Sequence, residues 1–160
     1  MEELEFFHQP SKEEIHAART ALIALGCMDE SGEVTSIGRK VSRLPVSVQA
    51  ARMIVEANER GVLDDVITAA AIFQIGAVTA RPQKDSFGAP KWKYLIPHEC
   101  ESDILAQIAL YRHAFGNNLS AKQMEAAGLF PKSLHQVREL RLRICDILEA
   151  RGAEITSSGD

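Results

Sequence analysis

Basic and aromatic side chains alternate between positions 81 and 94, as Arg81, Lys84, Phe87, Lys91, Trp92, Lys93 and Tyr94. Cations neutralise phosphates and rings stack on bases, so this mixture suits a single nucleic-acid strand. The same rings could instead pack on a hydrophobic core, because each buries a large apolar area. A second basic cluster, Lys132, Arg138, Arg141 and Arg143, falls in a segment of helical period. Arg138 and Arg141 share one side of that helix and could track a phosphate backbone, while Arg143 is spaced to pair with Glu139 at i,i+4. The candidate nucleic-acid contacts are therefore Arg138 and Arg141, then Arg81 and Lys84.

Other chemistry is missing. His98-Glu99-Cys100-Glu101 is at most half a metal site. Zinc usually needs four converging ligands, and no second Cys/His pair lies at a suitable spacing, so no metal is expected. There is no Gly-x-x-x-x-Gly-Lys-Ser/Thr loop to cradle phosphates and no Asp-Glu-Ala-His run for magnesium. His16, His113 and His135 lie on helical segments, and no nucleophile–base order stands out. No catalytic residue is assigned, and no cofactor is expected in this chain.

A length of 160 residues suits one medium domain or two small ones sharing a core. Hydrophobic residues make up 46% and charged ones 25%, an ordinary globular balance. The net charge of -4 means that any nucleic-acid binding has to come from local patches. No apolar run approaches the roughly 20 residues needed to cross a bilayer, and MEELEFF is not a signal peptide. Cys27, Cys100 and Cys145 are too widely spaced for a disulfide framework and read as reduced thiols of a cytoplasmic protein.

These side chains must be positioned by helices. Residues 1–10 read as an extended lead-in, with Phe6 and Phe7 packing on the domain. Ser11-Lys-Glu-Glu14 is a capping box, and the helix after it puts Ile15, Ala18, Leu22 and Leu25 on one face. Asp29-Glu-Ser-Gly32 between short apolar pieces suits a small hairpin. Thr35 or Ser36 opens a short helix ended by Leu44-Pro45, and Ser47 caps a longer one stopped by Gly61. Leu63, Val66, Ile67, Ala70 and Phe73 then form an inward stripe. Residues 76–101 are the longest irregular stretch. Ser102 starts a helix with Ile104, Leu105, Ile108, Tyr111 and Phe115 inward. Ser120–Gln123 is a second capping box, and Leu134, Val137, Leu140, Ile144 and Leu148 line the last helix.

The order of residues from 18 to 80 resembles the helicase-associated region that follows the motor domains of DEAH-box ATP-dependent RNA helicases. The matching positions are Leu25, Gly26, Asp29, Gly32, Val34, Thr35, Gly38, Arg39, Leu44, Pro45, Ala51 and Met53, then Gly61, Leu63, Asp64, Asp65, Val66, Thr68, Ala69 and Ala70. Beyond them the likeness thins: Ser102-Asp103-Ile104 lacks that family's His, and MEAAGLFPKS lacks its Trp-Cys.

The resemblance implies a mainly α fold, a degenerate winged-helix unit with a short β-hairpin packed on a small helical bundle. Residues 1–10 would be a linker from a motor domain, 11–61 the winged-helix-like unit, 62–152 a ratchet-like bundle and 153–160 a disordered tail. With no linker at Gly61, the two parts would share one cooperative core. It also implies a non-catalytic accessory module that lines the channel for single-stranded RNA, with ATP and magnesium held by upstream motor domains of the same polypeptide. The chain would be a monomer with no membrane partner. A free-standing winged-helix regulator of duplex DNA is the alternative, with Arg39, Lys40 and Arg43 on its recognition helix.

Overall fold

A computed structural model describes residues 10–79, 91–96, 102–153 and 155. Among them are seven α-helices and one 3-10 turn. The chain divides into two compact units, one ending at Arg43 and one beginning at Leu44.

In the first unit the Ser11 hydroxyl accepts from the Glu14 amide, and the Glu14 carboxylate accepts from the Ser11 amide at 2.7 Å. This box opens α1 (Lys12–Ala24), whose residues are all at least partly exposed. Ile15, Leu22 and Leu25 are half-buried, whereas Ala18 on the same expected stripe is exposed. After Gly26 the chain doubles back through residues 29–33. Asp29 Oδ1 holds that loop by accepting from the Ser31 hydroxyl at 2.6 Å and the Glu33 amide at 2.9 Å.

The expected β-hairpin is not formed: Met28 and Val34 make one isolated antiparallel bridge. A ladder has no room to extend there. The Leu22 carbonyl accepts from the Cys27 and Met28 amides at one end, and Thr35 is already the N-cap of α2 (Ser36–Val41) at the other. The Thr35 hydroxyl accepts from the Gly38 amide at 3.0 Å and donates to the Gly26 carbonyl at 2.6 Å. Gly38 is buried with its backbone against the Cys27 carbonyl, where a β-carbon would overlap it.

In the second unit Ser47 caps α3 (Val48–Arg60), its hydroxyl accepting from the Ala50 amide. Gly61 ends α3 at φ 70°, the left-handed conformation glycine adopts without a β-carbon clash. The chain turns at once into α4 (Leu63–Ile75), which packs back on α3. The two compact units meet after Arg43, and α3 and α4 form an αα-hairpin across Gly61. Ala50, Ala51 and Ala57 on α3, with Ala69, Ala70 and Ala71 on α4, are all buried.

Helix α4 is central: it also packs against α5 (Asp103–Gly116) and α7 (Pro131–Glu149). The short α6 (Ala121–Ala126) opens with the Ser120–Gln123 capping box and packs on α7. Ser102 sits at the N-cap of α5 but makes no side-chain capping bond. A core of Ala71, Ile72, Val78, Ile108, Leu110, Met124, Leu129, Leu134 and Val137 joins these helices. Cys27 and Cys145 are buried free thiols, as small hydrophobes would be. Cys100 lies outside the described residues, as do Phe6 and Phe7.

Two inward assignments are corrected. Phe73 is 60% exposed and Leu105 is 52% exposed. At about 100° per residue, Phe73 lies half a turn around α4 from buried Asp64, and Leu105 half a turn around α5 from buried Ala114. The expected stripe drifted off the buried arc.

Candidate nucleic-acid interface

Asp64 stands in the first turn of α4, where a carboxylate also complements the helix dipole. It is 4% exposed, and a buried carboxylate must be compensated by hydrogen bonds or opposite charge. Two arginines from two other helices supply that. Arg112 of α5 donates from Nη2 to Asp64 Oδ2 at 2.9 Å and also pairs with Asp65 Oδ1 at 2.6 Å. Arg141 of α7 donates from Nη2 to Asp64 Oδ1 and from Nε to the Thr68 hydroxyl at 3.1 Å. The Thr68 hydroxyl in turn donates to the Asp64 carbonyl at 3.0 Å. Two cations meet two anions, so the cluster adds no net positive charge.

Arg141 therefore has a role the sequence reading did not give it. Its side chain is 21% exposed and its guanidinium is committed to α4. Arg138, one turn earlier on α7, is exposed and lies over the Phe115 ring with Cζ 4.9 Å from the centroid. Phe115 packs on Tyr111 at 5.0 Å and meets the His135 ring edge-on at 5.6 Å. A cation held on a ring face keeps its outer side free for a phosphate or a base. Burial pushes the Tyr111 hydroxyl pKa up, partly opposed by Arg141 and Arg138, and burial likewise raises that of the Cys145 thiol.

The other basic residues separate. Arg81 and Lys84 lie outside the described residues, as does His98-Glu99-Cys100-Glu101. Lys91 to Leu95 form the 3-10 turn. In it Trp92 packs against the core, next to Gly128, while Tyr94 is 74% exposed with Lys91 and Lys93 beside it. Lys132 and Arg143 are exposed on α7. The expected Glu139–Arg143 ion pair is not among those formed by the described residues, where the i,i+4 pairs are Arg52–Glu56 and Arg60–Glu56. Among the described residues there is no cluster of three or more His, Cys, Asp or Glu able to hold a metal, and no helix long and apolar enough to cross a membrane.

In the first unit Arg39 donates to the Val34 carbonyl at 2.8 Å, and Lys40 and Arg43 are exposed. Here the loop closed by Asp29, the Thr35 cap and the buried Gly38 follow one another within ten residues. Residues 18–46 match the winged-helix helicase-associated domain (HA2) family model. The helicase-associated match runs from within α1 through the Asp29 loop and α2 to Val46. It includes Gly26, Asp29, Gly32, Thr35, Gly38, Arg39, Leu44 and Pro45, and the structure gives most of them a backbone reason. Gly26 and Gly32 take positive φ, Asp29 and Thr35 cap turns, and Gly38 admits the Cys27 carbonyl.

The feature that composition and spacing missed is the Asp64 cluster. An acidic pair directly after Leu63, on a helix whose other residues are apolar apart from Thr68 and Gln74, was the available signal. A carboxylate on so apolar a helix calls for a cationic partner.

Proposed function

We propose that this chain is a non-catalytic accessory module of a DEAH-type ATP-dependent RNA helicase. In this reading it lines the nucleic-acid channel and couples movement of the motor domains to strand translocation. The observation that carries it is the helicase-associated match over residues 18–46. The continuing motif at Leu63, Asp64, Asp65 and Thr68 and the mainly helical second unit support it. ATP and magnesium would be bound by motor domains upstream in the same polypeptide, since the chain has no phosphate loop. Its partners would be those domains and single-stranded RNA, in a cytoplasmic monomer.

Arg138 is the first contact residue of this proposal, because its guanidinium is exposed and oriented by Phe115. Arg81 and Lys84 follow. Arg141 serves the proposal indirectly, by fixing α7 against α4.

A salt titration of labelled single-stranded RNA tests the reading. Binding should be weak, favour single strands over duplex, and lose affinity as salt rises, because each neutralised phosphate releases counterion. Arg138→Glu should flatten the logarithmic salt slope by about one unit. Tight, sequence-specific binding to duplex DNA would instead assign Arg39, Lys40 and Arg43 to a regulator, and would sink the helicase reading.

A further inference from the structure

We propose that Asp65 is an internal stand-in for an RNA phosphate: it pairs with Arg112 in the free chain, and a strand seated on Arg138 displaces it and takes Arg112 as its next contact. This second contact rests on the reading of Arg138 as a strand contact.

Arg112 and Arg138 belong to one seam. Phe115 of α5 meets His135 and Arg138 of α7. Arg112, one turn earlier on α5, shares Asp64 with Arg141, one turn later on α7. Along this contact the two helices therefore run in opposite directions, and the Arg138 platform and the Arg112 pair stand about one helical turn apart. Tyr111 packs on Phe115 and is close enough to Arg138 and Arg141 for both to act on its hydroxyl. One turn of helix is close to the step between neighbouring nucleotides, so a base stacked on Arg138 brings an adjacent phosphate to Arg112.

The two carboxylates on Arg112 differ in what their release entails. Asp64 is buried, and its pairing with Arg112 and Arg141 compensates a charge that has no access to water. Asp65 pairs with Arg112 at 2.6 Å, with the side chains 38% and 40% exposed. An ion pair so open to solvent contributes little to stability, and its carboxylate rehydrates on release. Phosphate oxygens match the guanidinium fork as carboxylate oxygens do. Exchange of Asp65 for phosphate thus leaves the Asp64 clasp closed and the three helices in place. A free phosphate has to displace Asp65 unaided, whereas a strand already on Arg138 presents its next phosphate at high effective concentration. The pair of sites selects a strand over a lone anion.

The test is a salt titration of a labelled oligouridylate against the wild-type chain, Asp65→Asn, Asp65→Asn/Arg112→Gln and Asp103→Asn. In the wild type the displaced Asp65 takes up a cation as the phosphate sheds one, which flattens the salt dependence. Asp65→Asn should bind severalfold tighter at low salt and steepen the logarithmic slope by about 0.7, the value of one phosphate on a single strand. Adding Arg112→Gln should abolish that gain, with melting temperatures showing that each variant is folded. Asp103→Asn makes the same charge change at the exposed start of α5, about 13 Å along the helix and beyond a Debye length, and should bind as the wild type does. In the unaltered chain the Arg112 Nε–H resonance should move as the oligouridylate saturates and stay in place with inorganic phosphate. Equal affinities for Asp65→Asn and Asp103→Asn, a gain that persists without Arg112, or an Arg112 resonance unmoved by RNA would each overturn the proposal. If Arg138→Glu still loses affinity in that case, the proposed function stands; no RNA binding by any of these proteins would overturn both.

Discussion

Arg141 on α7 donates to Asp64 Oδ1 on α4, a pairing of residues 77 positions apart. Asp64 Oδ2 takes Arg112 from α5, so one carboxylate fixes three helices to each other. Neither arginine is buried as deeply as the aspartate: the side chain of Arg112 is 40% exposed and that of Arg141 21%, against 6% for Asp64. The partners keep access to water while the anion does not, and the energetic asymmetry follows from that.

Asp64→Ala should lower unfolding free energy by about 2–3 kcal/mol, below the upper range for fully buried pairs because both freed arginines can turn to solvent. Arg141→Met should cost less, since Arg112 still compensates Asp64. Urea unfolding followed by Trp92 fluorescence measures both. A double-mutant cycle on the two positions should give a coupling of about 1 kcal/mol or more. A coupling near zero would mean that the pairing contributes no stability.

Arg138 and Arg141 should separate in a single pair of measurements. Arg141→Glu places a second carboxylate beside Asp64 and Asp65, so its melting temperature should fall by several degrees. Arg138→Glu should leave melting almost unchanged and lower RNA affinity. Equal melting temperatures for the two variants would contradict the clasp on α4.

Much of the fold was legible where a local hydrogen bond decides the outcome. Ser11, Ser47 and Ser120 cap the helices that their spacing announced, Thr35 rather than Ser36 caps α2, Gly61 stops α3, and Ser102 makes no side-chain capping bond. Less was legible where packing decides. The stripe on α4 held through Ala70 and failed at Phe73, because small angular errors accumulate over three turns and the buried arc is centred nearer Ile67 and Ala71. The hairpin was lost to competition with the Thr35 cap. Arg141 looked like an exposed cation because nothing local to α7 reveals Asp64. The role of Asp64 could be suspected only from its apolar neighbours.

Phe73→Ala should cost at most about 0.5 kcal/mol, the usual range for surface positions. Ile67→Ala, on the buried side of the same helix, should cost about 2–5 kcal/mol. Chemical denaturation of both variants checks the rotation of α4. A loss at Phe73 comparable to that at Ile67 would place Phe73 in a contact absent from this structure.

Gly38→Ala should disrupt the first unit although alanine is the better helix former. The added methyl meets the Cys27 backbone carbonyl, which cannot swing aside because it accepts from the Thr35 amide at 3.1 Å. A loss of about 1–3 kcal/mol is expected from overpacking of this kind. Hydrogen exchange should speed up across α1 and α2 while the core amides of α4 and α7 stay protected. Unchanged exchange in α2 would show that the close approach is relieved at little cost.

The Asp29 loop should carry a pH signature. The Ser31 hydroxyl and then the Glu33 amide hold the Asp29 carboxyl below its ordinary pKa. A group whose folded pKa is depressed contributes stability that is present above its unfolded pKa and lost as pH falls through its folded value. The window is therefore below about pH 4, the ordinary aspartate range, with no effect near neutrality. Because Asp29 is exposed, the change is local to the turn. The Glu33 and Gly32 amide resonances should move together through that window, and Asp29→Asn should abolish the movement while keeping the turn. A titration of the Glu33 amide centred above pH 4 would contradict the direction, since it would mean that the carboxyl is destabilised in the fold.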